Sequence, residues 1–319
     1  MAQTGTLFSM RFNTFRQPII ALAALAVCLF STTFVLQASV NAVENNAVKD
    51  TGLRITPLRS KPVQNPGATT SGSVTITNTT NSPMAVALSV ERFQTIDEDY
   101  NYSFFKGEHS DWVRLTDKSV TLEPKASKTV PYSLAVPSNA SPSGYYFAVF
   151  ASTENKPSAT NFIEVKRVSS LIYLEVSGDL KKSVSLLGTD ASWLLISHNL
   201  HLVTRLHNQG NTHYPSRTKI EVRGILGWPK NSTQKDALVL PNTIRRTPTT
   251  VPFPAVPGVY RVGVSFTPPQ GGPAQVARVR VLYTPVWFLV VMTLIVIGVL
   301  YRLTVKHQRR RRYKRTTSN

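Results

Sequence analysis

Between Arg280 and Arg302 stand 21 residues without a charge, "VLYTPVWFLVVMTLIVIGVLY". A helix rises about 1.5 Å per residue, so this run reaches roughly 30 Å, the depth of a bilayer core. Tyr283 and Trp287 suit one membrane interface and Tyr301 the other. The tail that follows, "RLTVKHQRRRRYKRTTSN", holds eight Lys or Arg and no acid. Cationic flanks stay in the cytoplasm, which predicts a single-pass type I protein of the cell membrane. The transmembrane helix is expected over 281–301, a basic cytoplasmic tail over 302–319, and everything from 43 to 280 outside the cell. No ionisable group lies inside the run, and Gly298 has no small partner four residues away. Ion paths and close helix pairs need those features, so the span reads as an anchor. The tail is expected to cling to anionic lipid head groups and not to nucleic acid.

The other end predicts a signal peptide over 1–42. Arg11 and Arg16 precede a mostly apolar run over 19–35, and Val40-Asn41-Ala42 fits the small-residue cleavage rule. Cleavage is expected after Ala42, with Ala38 as the alternative site and an uncleaved signal anchor as the alternative fate. Cys28, the only cysteine, lies inside this run, and Val27 spoils a lipoprotein box. The mature chain is then free of cysteine. Secreted immunoglobulin-type domains often carry an inter-sheet disulfide, so its absence favours a bacterial surface protein over an animal receptor. Four Asn-x-Ser/Thr sequons, at Asn78, Asn101, Asn139 and Asn231, read as chance in a chain rich in Ser and Thr.

Charge needs dividing before it means anything. The whole chain carries +19. Setting aside Arg11, Arg16 and the eight cations of the tail leaves 26 cations against 17 acids, or +9 outside. That balance favours anionic surfaces such as wall polymers without specifying one.

The outside region, about 238 residues long, reads as β throughout and is long enough for two domains. "LRITP", "SVTITN", "AVALSVERF", "SVTLEP", "KTVPYSLAVP", "GYYFAVFAS" and "SSLIYLEVSG" are short alternating or apolar runs with turn residues between them. In the fifth run Val130, Tyr132, Leu134 and Val136 are expected to face inward. The run over 145–151 is apolar on both faces, as a central strand is. Seven such strands predict an immunoglobulin-like β-sandwich over 43–177. A second set follows: "KKSVSLLG", "LHLVTRLHN", "RTKIEVRGIL", "DALVLP", "GVYRVGVSF" and "QVARVRVLY". Ile220 and Val222 face one way there, and Lys219, Glu221 and Arg223 the other. Ala277, Val279 and Val281 likewise alternate with Arg278 and Arg280. This predicts a second sandwich over 178–280. Eight of the 21 prolines fall between Pro241 and Pro273, which confines that stretch to loops and sheet edges. The expected fold is all-β, two tandem immunoglobulin-like β-sandwiches plus one C-terminal transmembrane helix.

Two stretches invite a chemical reading. "LHNQGNTHYPSRTKIEV" packs two histidines, two asparagines and an arginine around Gly210. His201 and His207 share a strand face but stand about 20 Å apart, too far for one zinc. His207 and His213 face each other across a turn over 208–212 with no third ligand. The expected role is the turn of a β-hairpin, with Gly210 at positive φ and the asparagines bonded to local backbone. "DEDYNYSFFKGE" sets Asp97, Asp99, Asn101 and Glu108 at calcium-loop spacing, but Tyr102 stands where the bend needs glycine. A solvated acidic hairpin loop is expected, with calcium the lesser reading. Trp112, Trp193, Trp228, Tyr145, Tyr146 and Phe147 are expected mainly in core or edge packing, with sugar stacking the lesser reading. There is no Gly-x-Ser-x-Gly elbow and no phosphate-cradling loop. No catalytic, cofactor-binding or metal-ligating residue is expected, and no cofactor.

"ITPLRSKPVQNPGATTSGSVTITNTTNSPMAVALSVERF" with "VTLEPKASKTVPYSLAVPSNASPSGYYFAVFAS" resembles the first domain of WxL-interacting cell-surface proteins of Gram-positive-type bacteria. "LHNQGNTHYPSRTKIEVRGILG", "LVLPNTIRR" and "GVYRVGVSF" resemble the second. The domain order, terminal helix and basic tail are similar too. The resemblance implies peptidoglycan as partner of the first domain and proteins or host surfaces as partners of the second; it carries no binding residue with it. The expected function is non-enzymatic adhesion or scaffolding at the envelope. Wall polymer or a surface protein would be held by a basic β-surface and exposed strand edges. The alternatives are an accessory subunit docked through its helix and, behind it, a carbohydrate-active enzyme whose two carboxylates need no local motif.

Overall fold

A computed structural model describes residues 52–153, 165–225, 227, 230–269 and 271–316. The expected signal peptide, its cleavage sites, Cys28 and Trp228 lie outside the described residues. The first group of strands comprises β1 (Leu53–Thr56), β2 (Arg59–Ser60), β3 (Val63–Gln64), β4 (Thr69–Asn78), β5 (Met84–Thr95), β6 (Tyr102–Phe105), β7 (Val113–Leu115), β8 (Ser119–Leu122), β9 (Ser127–Ala135), β10 (Gly144–Thr153) and β11 (Arg167–Val176). The second comprises β12 (Val184–Ala191), β13 (Leu194–Leu195), β14 (Asn199–Asn208), β15 (Tyr214–Gly224), β16 (Lys230–Val239), β17 (Thr243–Pro252), β18 (Gly258–Phe266) and β19 (Gln275–Tyr283). One helix, α1 (Val286–Thr316), follows. The chain is thus all-β, with two immunoglobulin-like sandwiches in tandem and a C-terminal apolar helix.

In the first sandwich, sheet A runs β1-β4-β9-β7 and sheet B runs β2-β11-β10-β5-β6, with β3 beside β11 and β8 beside β5. Alternation decides which side chains meet between them. Val130, Tyr132, Leu134 and Val136 all point into the shared core, as their spacing predicts, with Val74, Ile76, Phe147, Val149, Ile172 and Leu174. Each such burial contributes about 1.5–3 kcal/mol. β10 is buried on both faces because it is central and because its outer face is also covered. Phe93, Tyr100, Tyr146, Phe150 and Tyr173 form a second cluster there, and Leu240 of the second sandwich joins it.

Sheet C, β12-β14-β17, faces sheet D, β13-β19-β18-β15-β16. Alternation does not reveal the two-residue β13 or the ten-residue β17. Pro248 and Pro252 interrupt its pattern, and they are tolerated because β17 is an edge. The apolar core of this sandwich falls into two clusters, one around Leu202, Ile220, Val262 and Val281, the other around Val184, Leu206, Val239 and Phe266. Hydroxyls of Thr204, Ser216, Thr218, Thr247 and Thr249 are buried as well. Ser216 and Thr218 donate to Ala237 O and Lys235 O of the neighbouring strand. The hydroxyls of Thr204, Thr247 and Thr249 have no partner among the described residues.

The apolar run that opens at Val281 is shared between two elements. Val281, Leu282 and Tyr283 close β19, and the helix begins only at Val286. Tyr283 is not an interfacial side chain: it is buried, packs 5.6 Å from Phe253, and its hydroxyl lies 3.0 Å from His198 Nδ1. The alternation that buries Val281 simply continues for one more inward position. Val286–Gln308 is long and apolar enough to cross a membrane. The helix continues through the basic tail to Thr316.

Candidate functional site

The segment around Gly210 is not a hairpin. β14 pairs with β12 and β17, while β15 pairs with β16 and β18, so residues 209–213 carry the chain from one sheet to the other. Asn208 is fully buried and braces this crossing. Its Nδ2 donates to Thr212 O and Val239 O, both at 2.9 Å, and its Oδ1 accepts from Gly210 N at 2.8 Å. Gly210 does not adopt positive φ. It is glycine because a Cβ there would stand 2.2 Å from Lys181 O and 2.9 Å from Asn208 Oδ1. The first sandwich repeats the device. Asn78 donates to Ser82 O at 2.7 Å and to Glu123 O at 3.2 Å, and accepts from Thr80 N at 2.9 Å. The sequence signal is a repeat, Asn78-Thr-Thr-Asn81-Ser82 against Asn208-Gln-Gly-Asn211-Thr212.

The three histidines are spent separately. His201 is exposed on β14 with Nδ1 3.1 Å from Thr250 Oγ1, and His207 is half-buried on the same face. His213 is buried between the rings of Tyr146 and Tyr173, each 5.8 Å away, in the first sandwich. Burial pushes its pKa below the usual histidine value, against the pull of Glu175. The turn is in fact a latch between the sandwiches. Asn211 O accepts from Gly144 N at 2.9 Å and Ser143 Oγ at 2.8 Å, and Thr212 Oγ1 donates to Glu175 Oε2 at 2.9 Å.

The acidic loop is a hairpin between β5 and β6, as expected, but it is docked and not merely solvated. Asp97 accepts from Asn101 Nδ2 at 2.6 Å and Asn101 N at 3.0 Å, which holds its carboxyl below the usual range. Tyr100 sits at φ 66°, and this left-handed turn aims its hydroxyl at the second sandwich. There it accepts from Leu240 N at 2.7 Å and lies 2.8 Å from Thr243 Oγ1. Both oxygens of Asp99 accept from Arg246 Nη1, at 3.0 and 3.1 Å, and Glu98 faces Arg205 Nε at 3.4 Å. Asp97, Asp99 and Asn101 are therefore held by partners other than a shared metal. Glu108 lies beyond β6, where its carbonyl accepts from Arg92.

Of the aromatics, Trp112 and Phe147 are in the first core, Tyr145 packs partly buried against it, and Tyr146 belongs to the junction. Trp193 departs from the expectation of packing and is 69 % exposed.

The feature with binding chemistry is the outer face of sheet D. A concavity of about 980 Å³ opens there, lined by Lys219, Arg223, Arg261, Arg278 and Arg280 with one acid, Glu221. The register explains it. Arg223 pairs with Arg261 and Arg261 with Arg280, so three arginines stand side by side on neighbouring strands. One row on, Glu221 pairs with Gly263 and Gly263 with Arg278. Gly263 leaves the centre open, since a Cβ there meets nothing within 4 Å. Glu221 is already engaged by Lys219 at 2.7 Å and by Arg223, which hold its pKa down to about 2. Arg261, Arg278 and Arg280 carry no ion pair among the described residues. Guanidinium forks around an open centre suit phosphate, sulfate or carboxylate groups through charge-assisted hydrogen bonds. Alternation alone had turned Lys219, Arg223, Arg278 and Arg280 outward; it did not place Arg261 between them.

No family model and no curated protein matches the chain. Solved structures similar to it include several bacterial chaperones, and also part of a family 123 glycoside hydrolase from Clostridium perfringens, 14% identical at TM-score 0.28, covering 37% of this chain and 22% of that one. The class 5 fimbriae chaperone CfaA is 14% identical with a TM-score of 0.39, covering 73% of this chain and 100% of that one. The CsuC–CsuE chaperone–tip adhesion subunit complex of Acinetobacter baumannii is 11% identical at TM-score 0.38, covering 73% and 99%. The CupB2 chaperone of Pseudomonas aeruginosa is 12% identical at TM-score 0.35, covering 72% and 100%. These are not WxL-interacting surface proteins, and at such scores they say nothing of what this chain binds.

Proposed function

We propose that this chain is a non-enzymatic binding protein of the cell surface, held by α1 as a type I membrane protein, with the outer face of sheet D as its ligand site. The observation that supports the reading is the concavity of five cations and one already engaged acid. The ligand class is a polyanion presented outside the cell, for which the +9 charge of the outside region favours an anionic wall polymer; the resemblance to WxL-interacting proteins implies peptidoglycan only for the first domain. The braced junction gives the two sandwiches a fixed mutual orientation, which suits a scaffold more than a flexible tether. The test is sedimentation of the detergent-solubilised full chain with insoluble cell wall across a salt series. Retention at moderate salt, lost in Gly263→Glu and in Arg261→Gln/Arg278→Gln, is expected. Equal retention of both variants and the parent would sink the site, and no retention of the parent would sink the ligand class.

A second reading rests on β16. Among the described residues this ten-residue strand has a ladder only with β15. Asn231 Nδ2 donates to Pro252 O near one end, and Leu238 O and Val239 O accept from Arg245 and Asn208 near the other; between those ends its second edge is available to an extended segment of a protein partner. Lys230 and Lys235 lie along it and discourage indiscriminate pairing.

A further inference from the structure

The end of the second sandwich nearest the helix carries an unusual set of exposed apolar side chains. Trp193 is 69 % exposed, Ile225 57 %, Ile196 47 % and Val256 45 %. They come from three different connections, β12 to β14, β15 to β16 and β17 to β18. Hydrogen bonds hold the first of these connections beside the last residues before α1, and strand register places Ile225 and Val256 at the same end. Leu282 N donates to Trp193 O at 2.7 Å and Thr284 N to Leu195 O at 2.9 Å. Tyr260 Oη donates to Val256 O at 2.6 Å, and Tyr260 also pairs with Gly224, the residue before Ile225. Only Thr284 and Pro285 separate β19 from α1, and Phe288 N and Leu289 N both donate to Pro285 O. A helix long enough to cross a membrane therefore leaves the sandwich on a two-residue tether that is itself pinned.

Charge is arranged to match. Lys230, Arg223, Arg261 and Arg280 stand in register on β16, β15, β18 and β19, a row of four cations across the sheet near that same end. Aromatic and aliphatic tips below a band of cations are the composition of a surface that lies in the interfacial layer of a bilayer.

We infer that the helix-proximal end of the second sandwich rests in the membrane interface, with Trp193, Ile196, Ile225 and Val256 among the lipid head groups and the four-cation row facing head-group phosphates. The occupant of this apolar end is the bilayer that α1 enters. This rests on α1 spanning the membrane, and it shares Arg223, Arg261 and Arg280 with the concavity, so head-group phosphates compete there with the polyanion of the proposed function. It makes the lower sandwich a platform seated on lipid and not a domain swinging from a stalk.

The test uses the full chain with Cys28→Ser, reconstituted in nanodiscs of phosphatidylcholine and phosphatidylglycerol. Single spin labels are placed by Trp193→Cys, Ile225→Cys and, at the opposite end of β16, Asp236→Cys. All three positions are exposed, so the labels displace no core side chain. Collision with a water-soluble relaxation agent is expected to be about fivefold slower at 193 and 225 than at 236, as for groups in the interfacial layer. Equal rates at the three positions would overturn the inference. Replacing the anionic lipid with phosphatidylcholine alone is expected to weaken the protection; protection unchanged by that swap would overturn the part assigned to the cation row. Loss of incorporation into nanodiscs would refute the spanning helix on which the inference rests, and retained wall binding in that case would leave the concavity standing.

Discussion

Gly210 and Thr204 show how single atoms set the stability of the second sandwich. A methyl at 210 has backbone oxygen in its way, not a mobile side-chain tip, so the crossing must move to admit it. Gly210→Ala is expected to cost about 1–3 kcal/mol, the usual penalty of overpacking, read as a lower urea midpoint. An unchanged midpoint would mean that the latch is looser than its hydrogen bonds imply. Thr204 makes the opposite case. Its hydroxyl is buried and has no partner among the described residues, whereas valine has the same branching without the polar atom. Thr204→Val is expected to stabilise by about 1 kcal/mol, seen as a raised Tm. A fall in Tm would show that the hydroxyl is satisfied after all, by solvent.

At the scale of elements, sheet D sets like charges at neighbouring positions, which the proposed site would use. β15, β18 and β19 set Arg223, Arg261 and Arg280 directly beside one another, and like charges in cross-strand pairs destabilise. Arg261→Thr removes the middle charge and supplies a residue that favours strands. It is expected to raise stability by a few tenths to about 1 kcal/mol while weakening polyanion retention. Added salt should narrow the stability gap between variant and parent, because screening relieves the same repulsion. If the variant is less stable at low salt, the row is not under electrostatic load. α1 and β19 illustrate a different limit of pattern reading. The uncharged run is continuous in sequence, yet its first three residues belong to a strand because Val281 and Tyr283 complete a core begun by Tyr260 and Phe253.

For the molecule as a whole, the junction couples the two sandwiches, and His213 makes that coupling sensitive to acid. Its ring is packed against Tyr146 and Tyr173, with Glu175 favouring the charged form and Lys61 and Lys182 opposing it. Burial is the largest effect, and it holds the folded pKa below the unfolded one. The unfolded chain therefore takes up this proton more readily. The stability His213 contributes is complete above the ordinary histidine pKa of about 6.5 and drains as pH falls through the lower folded value. Unfolding free energy should fall between pH 7 and pH 5 more steeply in the parent than in His213→Gln. Identical slopes would remove His213 as the cause.

Much of this architecture is written in local pattern. Period-two alternation at residues such as Val130 to Val136, and at Ile220 and Val222, is enough to fix strands and their inward faces, because each side chain's face depends only on its position along its own strand. The uncharged run and the basic tail likewise announce a membrane-length helix from composition alone. What alternation cannot supply is which strand lies beside which. That Arg261 falls between Arg223 and Arg280 depends on the register of strands nearly sixty residues apart in sequence. That Tyr100 meets Leu240, and His213 meets Tyr146, depends on how one sandwich packs against the other. Those neighbours are chosen by burial and hydrogen bonding over the whole fold, so the basic concavity and the latched junction exist only in three dimensions.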